Sequence, residues 1–184
     1  MLKLREINED DLNIINTWRN KKELIDNLVA PFRYICPEVD KRWYENYINN
    51  RNMAVRCAIV DESDKILGLV YLTSIDQLNQ SAEFGIMIGS SNNQGKGIGT
   101  FAVKEMLKHA FYNLNLQRIE LTVLENNDRA KHLYEKCGFK FEGIKRRSNY
   151  KNGTFVNLLM YSILKEEFKM WKKIRVECSG NKMI

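Results

Sequence analysis

Ala82-Glu83-Phe84-Gly85-Ile86-Met87-Ile88, followed after residues 89–93 by Gln94-Gly95-Lys96-Gly97-Ile98-Gly99-Thr100, is the stretch on which the fold turns. Its first run is apolar and rich in β-formers and reads as a strand. Its second run breaks that strand with glycines. Beyond it Ile98, Phe101, Ala102, Met106 and Ala110 recur on one face at helical spacing, which predicts a helix from about Gly97 to Asn113. Arg118 to Leu124 reads as strand again. Strand, helix and strand in succession call for a parallel pair joined by a crossover.

On the C-terminal side, a helix is expected over Asp128–Lys136, stopped by Gly138 as a C-cap. Strands follow near Lys140–Lys145 and Phe155–Leu164, joined through Asn152-Gly153, a strong short-range hairpin signal. On the N-terminal side, Met53–Val60 and Ile66–Ser74 flank the polar turn Asp61-Glu62-Ser63-Asp64 and read as an antiparallel hairpin. Residues 38–50 carry Trp43, Tyr44 and Tyr47 at helical spacing. A short strand over residues 2–7 precedes Asn8, which offers an N-cap to the acidic turn Glu9-Asp10-Asp11 and a helix running to about Arg19. Together these elements predict a mixed α/β sheet of the α+β type, of about 6–7 strands, with helices on both faces. Residues 1–164 read as one domain. Residues 165–184 read as a short helix ending in a frayed, partly flexible tail, Ser179-Gly180-Asn181-Lys182.

The chain has 184 residues, 44% of them apolar, enough for a real core. No run of 18 apolar residues and no signal-like N-terminus is seen, so a soluble, cytoplasmic protein without membrane contact is expected. Cys36, Cys57, Cys137 and Cys178 are scattered without C-x-x-C spacing, which argues against a zinc site or a disulfide framework; no metal is expected. The 29 basic and 23 acidic residues leave a net +6, and residues 165–184 carry three of those charges. A basic surface suits nucleic acid or a small polyphosphate. With no reading motif or basic-aromatic stripe, nucleic acid is the less favoured partner.

Glycines between a strand and a helix let backbone N–H groups turn inward, and the helix N-terminus adds unpaired donors and partial positive charge. A pyrophosphate fits such a loop, as does a plain tight turn. Lys96 stands between the glycines without a Gly-Lys-Ser/Thr ending, so this is not a Walker loop. The third glycine of a dinucleotide fingerprint is also missing.

Three features in order, Ala82 to Ile88, Gln94-x-x-Gly97-x-Gly99, and Asn127-x-x-Ala130-x-x-Leu133-Tyr134-x-x-x-Gly138-Phe139, resemble the GNAT superfamily of N-acetyltransferases over about residues 2–164. The likeness is to the branch of RimJ/RimL-type, spermidine and amino-sugar acetyltransferases. It implies a GNAT-like, mostly antiparallel sheet in which a splayed parallel pair forms the coenzyme A cleft, with acetyl-CoA as acetyl donor. It further implies pantetheine bonded to backbone around Met87 and Ile88 and pyrophosphate held by Gln94, Gly95, Lys96, Gly97, Ile98, Gly99 and Thr100. Lys96 and Arg129 are either phosphate partners or solvated surface residues.

For the chemistry, the resemblance makes Tyr134 the group near the departing sulfur, either as general acid or as hydrogen-bond donor. Its plain alternative is a core tyrosine, since Ala130, Leu133, Tyr134 and Cys137 share a helical face. Asn127 either bonds the pantetheine arm or caps its helix. Glu83 occupies the position of the family's base, where a partly buried carboxylate accepts the amine proton directly or positions water; otherwise it is an outward strand residue. His109 and His132 are bases by chemistry alone. Cys137 has nothing adjacent to activate it.

The expected acceptor is a small amine or amino sugar, taken by direct attack in a ternary complex. A peptide or protein α-amine and a polyamine are the alternatives, and a non-catalytic coenzyme A-binding regulatory module is the different class. A polyamine requires clustered carboxylates, yet Asp26, Glu38 and Asp40 are balanced locally by Arg33, Lys41 and Arg42. Phe32, Tyr34, Trp43 and Tyr150 are candidates to stack on an acceptor, or else core residues. A homo-oligomer through an exposed final strand is compatible with the sequence.

Overall fold

A computed structural model describes residues 1–90 and 95–168. Strand β1 (Lys3–Glu6) leads through a 3-10 turn (Glu9–Asp11) to α1 (Leu12–Arg19), the four-residue α2 (Lys22–Ile25) and α3 (Pro37–Asn49). Then come β2 (Val55–Val60), β3 (Ile66–Asp76), β4 (Ser81–Ile88), α4 (Ile98–Lys108), β5 (Arg118–Leu124), α5 (Asp128–Lys136), β6 (Lys140–Lys151) and β7 (Thr154–Leu164). Seven strands form one sheet in the order β1-β2-β3-β4-β5-β7-β6. Every neighbouring pair is antiparallel except β4–β5. Among the described residues, no helix is long and apolar enough to cross a membrane.

Local chemistry accounts for the breaks. Asn8 and Asp11 form a reciprocal capping box: the Asp11 N–H donates to Asn8 Oδ1 at 3.2 Å and the Asn8 N–H to Asp11 Oδ2 at 2.9 Å. Helix α5 stops at Gly138, whose φ of 99° is open to glycine. There the Phe139 N–H donates to Tyr134 O and the Gly138 N–H to Glu135 O, the paired bonds of a Schellman stop. Asn152 and Gly153 both have positive φ, as a two-residue type I′ hairpin requires. The helix expected to reach Asn113 does so, but its last turn, His109–Asn113, widens to a π-helix.

Alternation along the strands sorts the core into two clusters. Val70, Leu72, Phe84, Ile119, Leu121 and Val123 face α4 and α5. Ala58, Val60, Leu69 and Met87 face α1 to α3. That second cluster contains no residue of β5, β6 or β7; beyond β4 this face of the sheet carries Arg118, Glu120 and Thr122 together with the apolar Leu124 and Leu158. The boundary expected at residue 164 does not limit the core. Residues 165–168 are helical, and Phe168, 1% exposed, packs on Phe111 with ring centroids 5.5 Å apart. The remainder of the predicted tail, 169–184, lies outside the described residues.

Candidate active site

The parallel pair is hydrogen-bonded only at its start: Ser81 opposes Arg118, Ala82 opposes Ile119 and Glu83 opposes Glu120. From Phe84 to Ile88 strand β4 stays paired with β3, and β5 stays paired with β7 to Leu124, so the sheet opens along the seam between them. A cavity of about 1270 Å³ occupies the opening. It is lined by Phe84 to Ile88 on one strand, Leu121 to Leu124 on the other, and the N-terminal turn of α4.

That turn is built to present backbone. Gly95 and Gly97 have φ of 78° and 79°, and a Cβ on either would meet nothing within 4 Å, so the backbone conformation, not space, demands glycine. Gly97 is the N-cap and brings no side-chain cap; the first helical bond is Phe101 N–H to Gly97 O. The N–H groups of Ile98, Gly99 and Thr100 therefore lack intrahelical acceptors at the cleft wall. Gly99 has a different reason: a Cβ there would lie 3.0 Å from Leu133, which sets how closely α4 and α5 pack. Backbone donors, a helix N-terminus and an unpaired strand edge suit a pyrophosphate and an extended amide-bearing arm.

Of the predicted cofactor residues, Met87, Ile88, Gly95, Gly97 to Thr100, Asn127 and Arg129 all line this cavity. Lys96 is exposed and does not line it, and Gln94 lies outside the described residues. Asn127 has work of its own. Its Oδ1 caps α5 by accepting from the Ala130 N–H at 3.1 Å, and its Nδ2 donates to Asn27 O at 2.9 Å.

Tyr134 and Glu83 reach the cavity from opposite faces of the sheet, which is possible because the seam is open. Tyr134 is 7% exposed and sits edge-on to Phe84 and Phe139, at 6.2 and 5.7 Å between centroids. Its hydroxyl takes no partner among the described residues. Burial pushes the phenol above its ordinary pKa, so it holds its proton. Glu83 corrects the expectation of a partly buried carboxylate: it is exposed, because it faces the open cleft. No ion pair engages it among the described residues.

Glu83 has company that the sequence did not reveal. Glu120 lies opposite it in register and Glu142 on β6 lines the same end of the cavity. Arg118 bridges the last two, donating from Nη1 to Glu142 at 2.7 Å and from Nε to Glu120 at 3.1 Å. These bonds, with the Ser162 hydroxyl at 2.6 Å, hold the Glu142 carboxyl down at about 2. Tyr71 also lines the cavity, its ring lying across Gly85 where a Cβ would come within 2.1 Å of it. Behind it the Arg56 guanidinium stacks on Trp43, Tyr47 and Tyr71 at 4.9 to 5.7 Å. Strand alternation puts Arg118, Glu120 and Thr122 on one face, but matching them to Glu83 requires the register.

The aromatic candidates for acceptor stacking are elsewhere. Trp43 covers Arg56, Tyr150 pairs with Phe155 near the tip of the β6–β7 hairpin, and Phe32 and Tyr34 pair with each other; none of the four lines the cavity. His132 lines it as an exposed side chain, and His109 does not. Burial pushes the Cys137 thiol up, away from a nucleophile's range. Among the described residues, no three His, Cys, Asp or Glu side chains are placed to share a metal ion.

Comparison with known proteins agrees with this architecture. Residues 1–140 match the model of the acetyltransferase (GNAT) domain. The chain is 30% identical over 167 residues to a spermidine N(1)-acetyltransferase of Vibrio cholerae, covering 91% of this chain and 95% of that one. It is 26% identical over 142 residues to the acetyltransferase PseH of Campylobacter jejuni, covering 76% and 85%. The crystal structure of the Vibrio cholerae spermidine N-acetyltransferase in complex with CoA and spermine superposes with a TM-score of 0.86 at 30% identity, over 91% of this chain and 98% of that one.

Proposed function

The chain belongs to the GNAT acetyltransferase family and is an N-acetyltransferase that uses acetyl-CoA; from that premise we propose that its acceptor is a small amine carrying more than one positive charge, of the polyamine kind. The observation that carries this reading is the carboxylate group Glu83, Glu120 and Glu142 at the closed end of the seam, with Arg118 as the cation bonded within it. A second ammonium on the acceptor finds a counter-charge there while the first stands at the reacting end. Of the acidic residues of the early helices, Glu23 also lines the cavity and can add to that charge, whereas two others are already engaged. Asp26 is bonded to Lys22, and Asp40, fully buried, accepts from Asn16 and Arg19. Relatives named for spermidine support the same class.

Acetyl-CoA supplies the activated acetyl thioester; the uncapped turn Gly97 to Thr100 and the open edge of β4 are the groups that hold it. An amine is protonated near neutral pH and must lose that proton to attack. Glu83, exposed and without an ion-pair partner among the described residues, accepts it directly or through water. The Tyr134 hydroxyl, protonated and without an acceptor among the described residues, donates its hydrogen bond to the departing sulfur. A thiol pKa of ~8.5 lies below that of a phenol, so hydrogen bonding rather than full proton transfer is the role assigned to Tyr134.

The test is a panel of spermidine, spermine, amino sugars and N-terminal peptides, with free thiol release as the readout, on the wild type and on Glu120→Gln. Spermidine or spermine should be the best acceptor, and its KM should rise in the variant. An amino sugar or peptide acetylated tenfold more efficiently than either polyamine would remove this acceptor class.

A further inference from the structure

One wall of the cavity is the segment 24–30, which brings Leu24, Leu28 and Val29 to the cleft on the side from which Glu83 is reached. Helix α2 has only four residues and cannot hold its own shape. Carbonyls of its last residue and of the segment that follows are held by side chains more than 90 residues away. Lys151 Nζ donates to Ile25 O at 2.8 Å and also to Ala30 O. Asn149 Nδ2 donates to Val29 O at 2.8 Å, and Asn127 Nδ2 to Asn27 O at 2.9 Å. In return Lys22 reaches from α2 to Asn152 Oδ1 in the hairpin turn.

Lys151 is the unusual member. Lysine is seldom buried without a carboxylate partner, yet Lys151 is 7% exposed and its hydrogen bonds go to two backbone carbonyls. Asp26 is close enough to favour its charge, but makes its own contact with Lys22. A buried ammonium spent on a loop fixes that loop: withdrawing it removes the tie between Ile25 O and Ala30 O, leaving Ile25 O with the Leu28 N–H alone and the ammonium's own buried site empty.

We propose that Lys151, with Asn149 and Asn127, clasps segment 24–30 in place and so sets the acceptor side of the cleft, making Lys151 a positioning residue for the acceptor and not for acetyl-CoA. Asn127 ties the clasp to the chemistry: it caps α5, and Tyr134 lies two turns further along the same helix. Acceptor wall, helix and reacting hydroxyl are thus held as one unit. The proposal rests on the reading above that the acceptor meets Glu83 beside this wall.

Two measurements on the full chain test it. Amide hydrogen exchange compares wild type, Lys151→Met, Lys151→Arg and Asn149→Ala, and steady-state kinetics uses spermidine as the probe acceptor. In Lys151→Met, amides of 24–30 should exchange about tenfold faster with those of α4 and β5 unchanged, while the acceptor KM rises about tenfold and the acetyl-CoA KM stays within about twofold. Lys151→Arg, which keeps its donors, should recover most of the loss. Should Lys151→Met fail to fold, Asn149→Ala must show the same pattern more weakly. Unchanged exchange over 24–30, or KM values for both substrates rising together with a general loss of protection, overturns the clasp. If wild type acetylates no polyamine but does acetylate another amine, the polyamine reading alone falls, and the KM split is measured with that amine. If no amine is acetylated, the clasp is decided by the exchange data.

Discussion

Replacing Tyr134 by Phe isolates the role assigned to its hydroxyl, because the structure separates that role from stability. The ring contacts with Phe84 and Phe139 survive in phenylalanine, and the hydroxyl has no partner among the described residues to leave stranded. The change in unfolding free energy should stay within about 1 kcal/mol. Activity should fall far more: losing one preorganised donor to developing charge costs about 100-fold in kcat, or about 2.7 kcal/mol of transition-state stabilisation. Binding of acetyl-CoA, measured by calorimetry, should be preserved within a few-fold. The pH dependence gives a second check. Burial raises the Tyr134 pKa above its ordinary value of 10, so the phenol stays protonated at neutral and mildly alkaline pH in both free enzyme and assay. Wild type and variant should then show parallel kcat profiles, displaced by a constant factor. A variant retaining more than a third of wild-type kcat would refute the role, as would an alkaline decline present in wild type and absent from the variant.

Gly97→Ala forces a Cβ onto a residue with φ of 79° and should cost about 1–2 kcal/mol locally; the expected readout is an acetyl-CoA KM raised several-fold with the acceptor KM little changed. Asp40→Asn puts a neutral amide at a buried position beside the partly exposed Arg19 guanidinium and should destabilise by about 2 kcal/mol, seen as a lower urea midpoint at unchanged slope. Glu142 has a folded pKa of about 2, below the ordinary 4.5, so its contribution to stability is complete above pH 4.5 and is lost as pH falls toward 2. Melting temperatures of wild type and Glu142→Gln should therefore converge over that interval, and a gap that stays constant would show that the Arg118–Glu142 contact does not act through charge.

The elements were legible where one face is buried. Alternation on β5 and helical spacing on α4 and α5 carry their own signal, and Arg118–Leu124 and Asp128–Lys136 are found as read. β6 was read short, ending at Lys145, while the strand runs to Lys151. It is an edge strand, exposed along most of its length, with a register shift between Lys145 and Asn149, so no apolar period marks it. The glycine turn at the cleft is legible because glycine chemistry is local. The far end of the cleft is not, because it depends on pairing: Glu120 is brought to Glu83 by register, and Tyr71 lies over Gly85, which lacks a side chain, on the next strand. Lys151 ran against the ordinary expectation for lysine, and the aromatics offered as acceptor platforms were drawn to Arg56 and to each other instead.

An open seam in a sheet needs a reason not to close or to spread. β4 is paired along its length to β3, and β5 to β7, so each side is a finished antiparallel unit. On one face α4 and α5 bridge the gap, drawn close at Gly99 and Leu133. On the other face the bridge is the clasp, running from Asn127 and Lys151 to the segment 24–30. With both faces spanned, the width of the cleft is fixed by packing and hydrogen bonds already present, and little reorganisation remains for the moment of reaction. The direction left free runs along the strands, from the glycine turn at the end of β4 to the carboxylates at the start of the seam. Under the proposed function, donor phosphates are assigned to the first end by its backbone donors, and a cationic acceptor to the second by its charge. On that assignment, two substrates held from opposite ends of one slot would meet near Tyr134, the arrangement that direct transfer without a covalent enzyme intermediate requires.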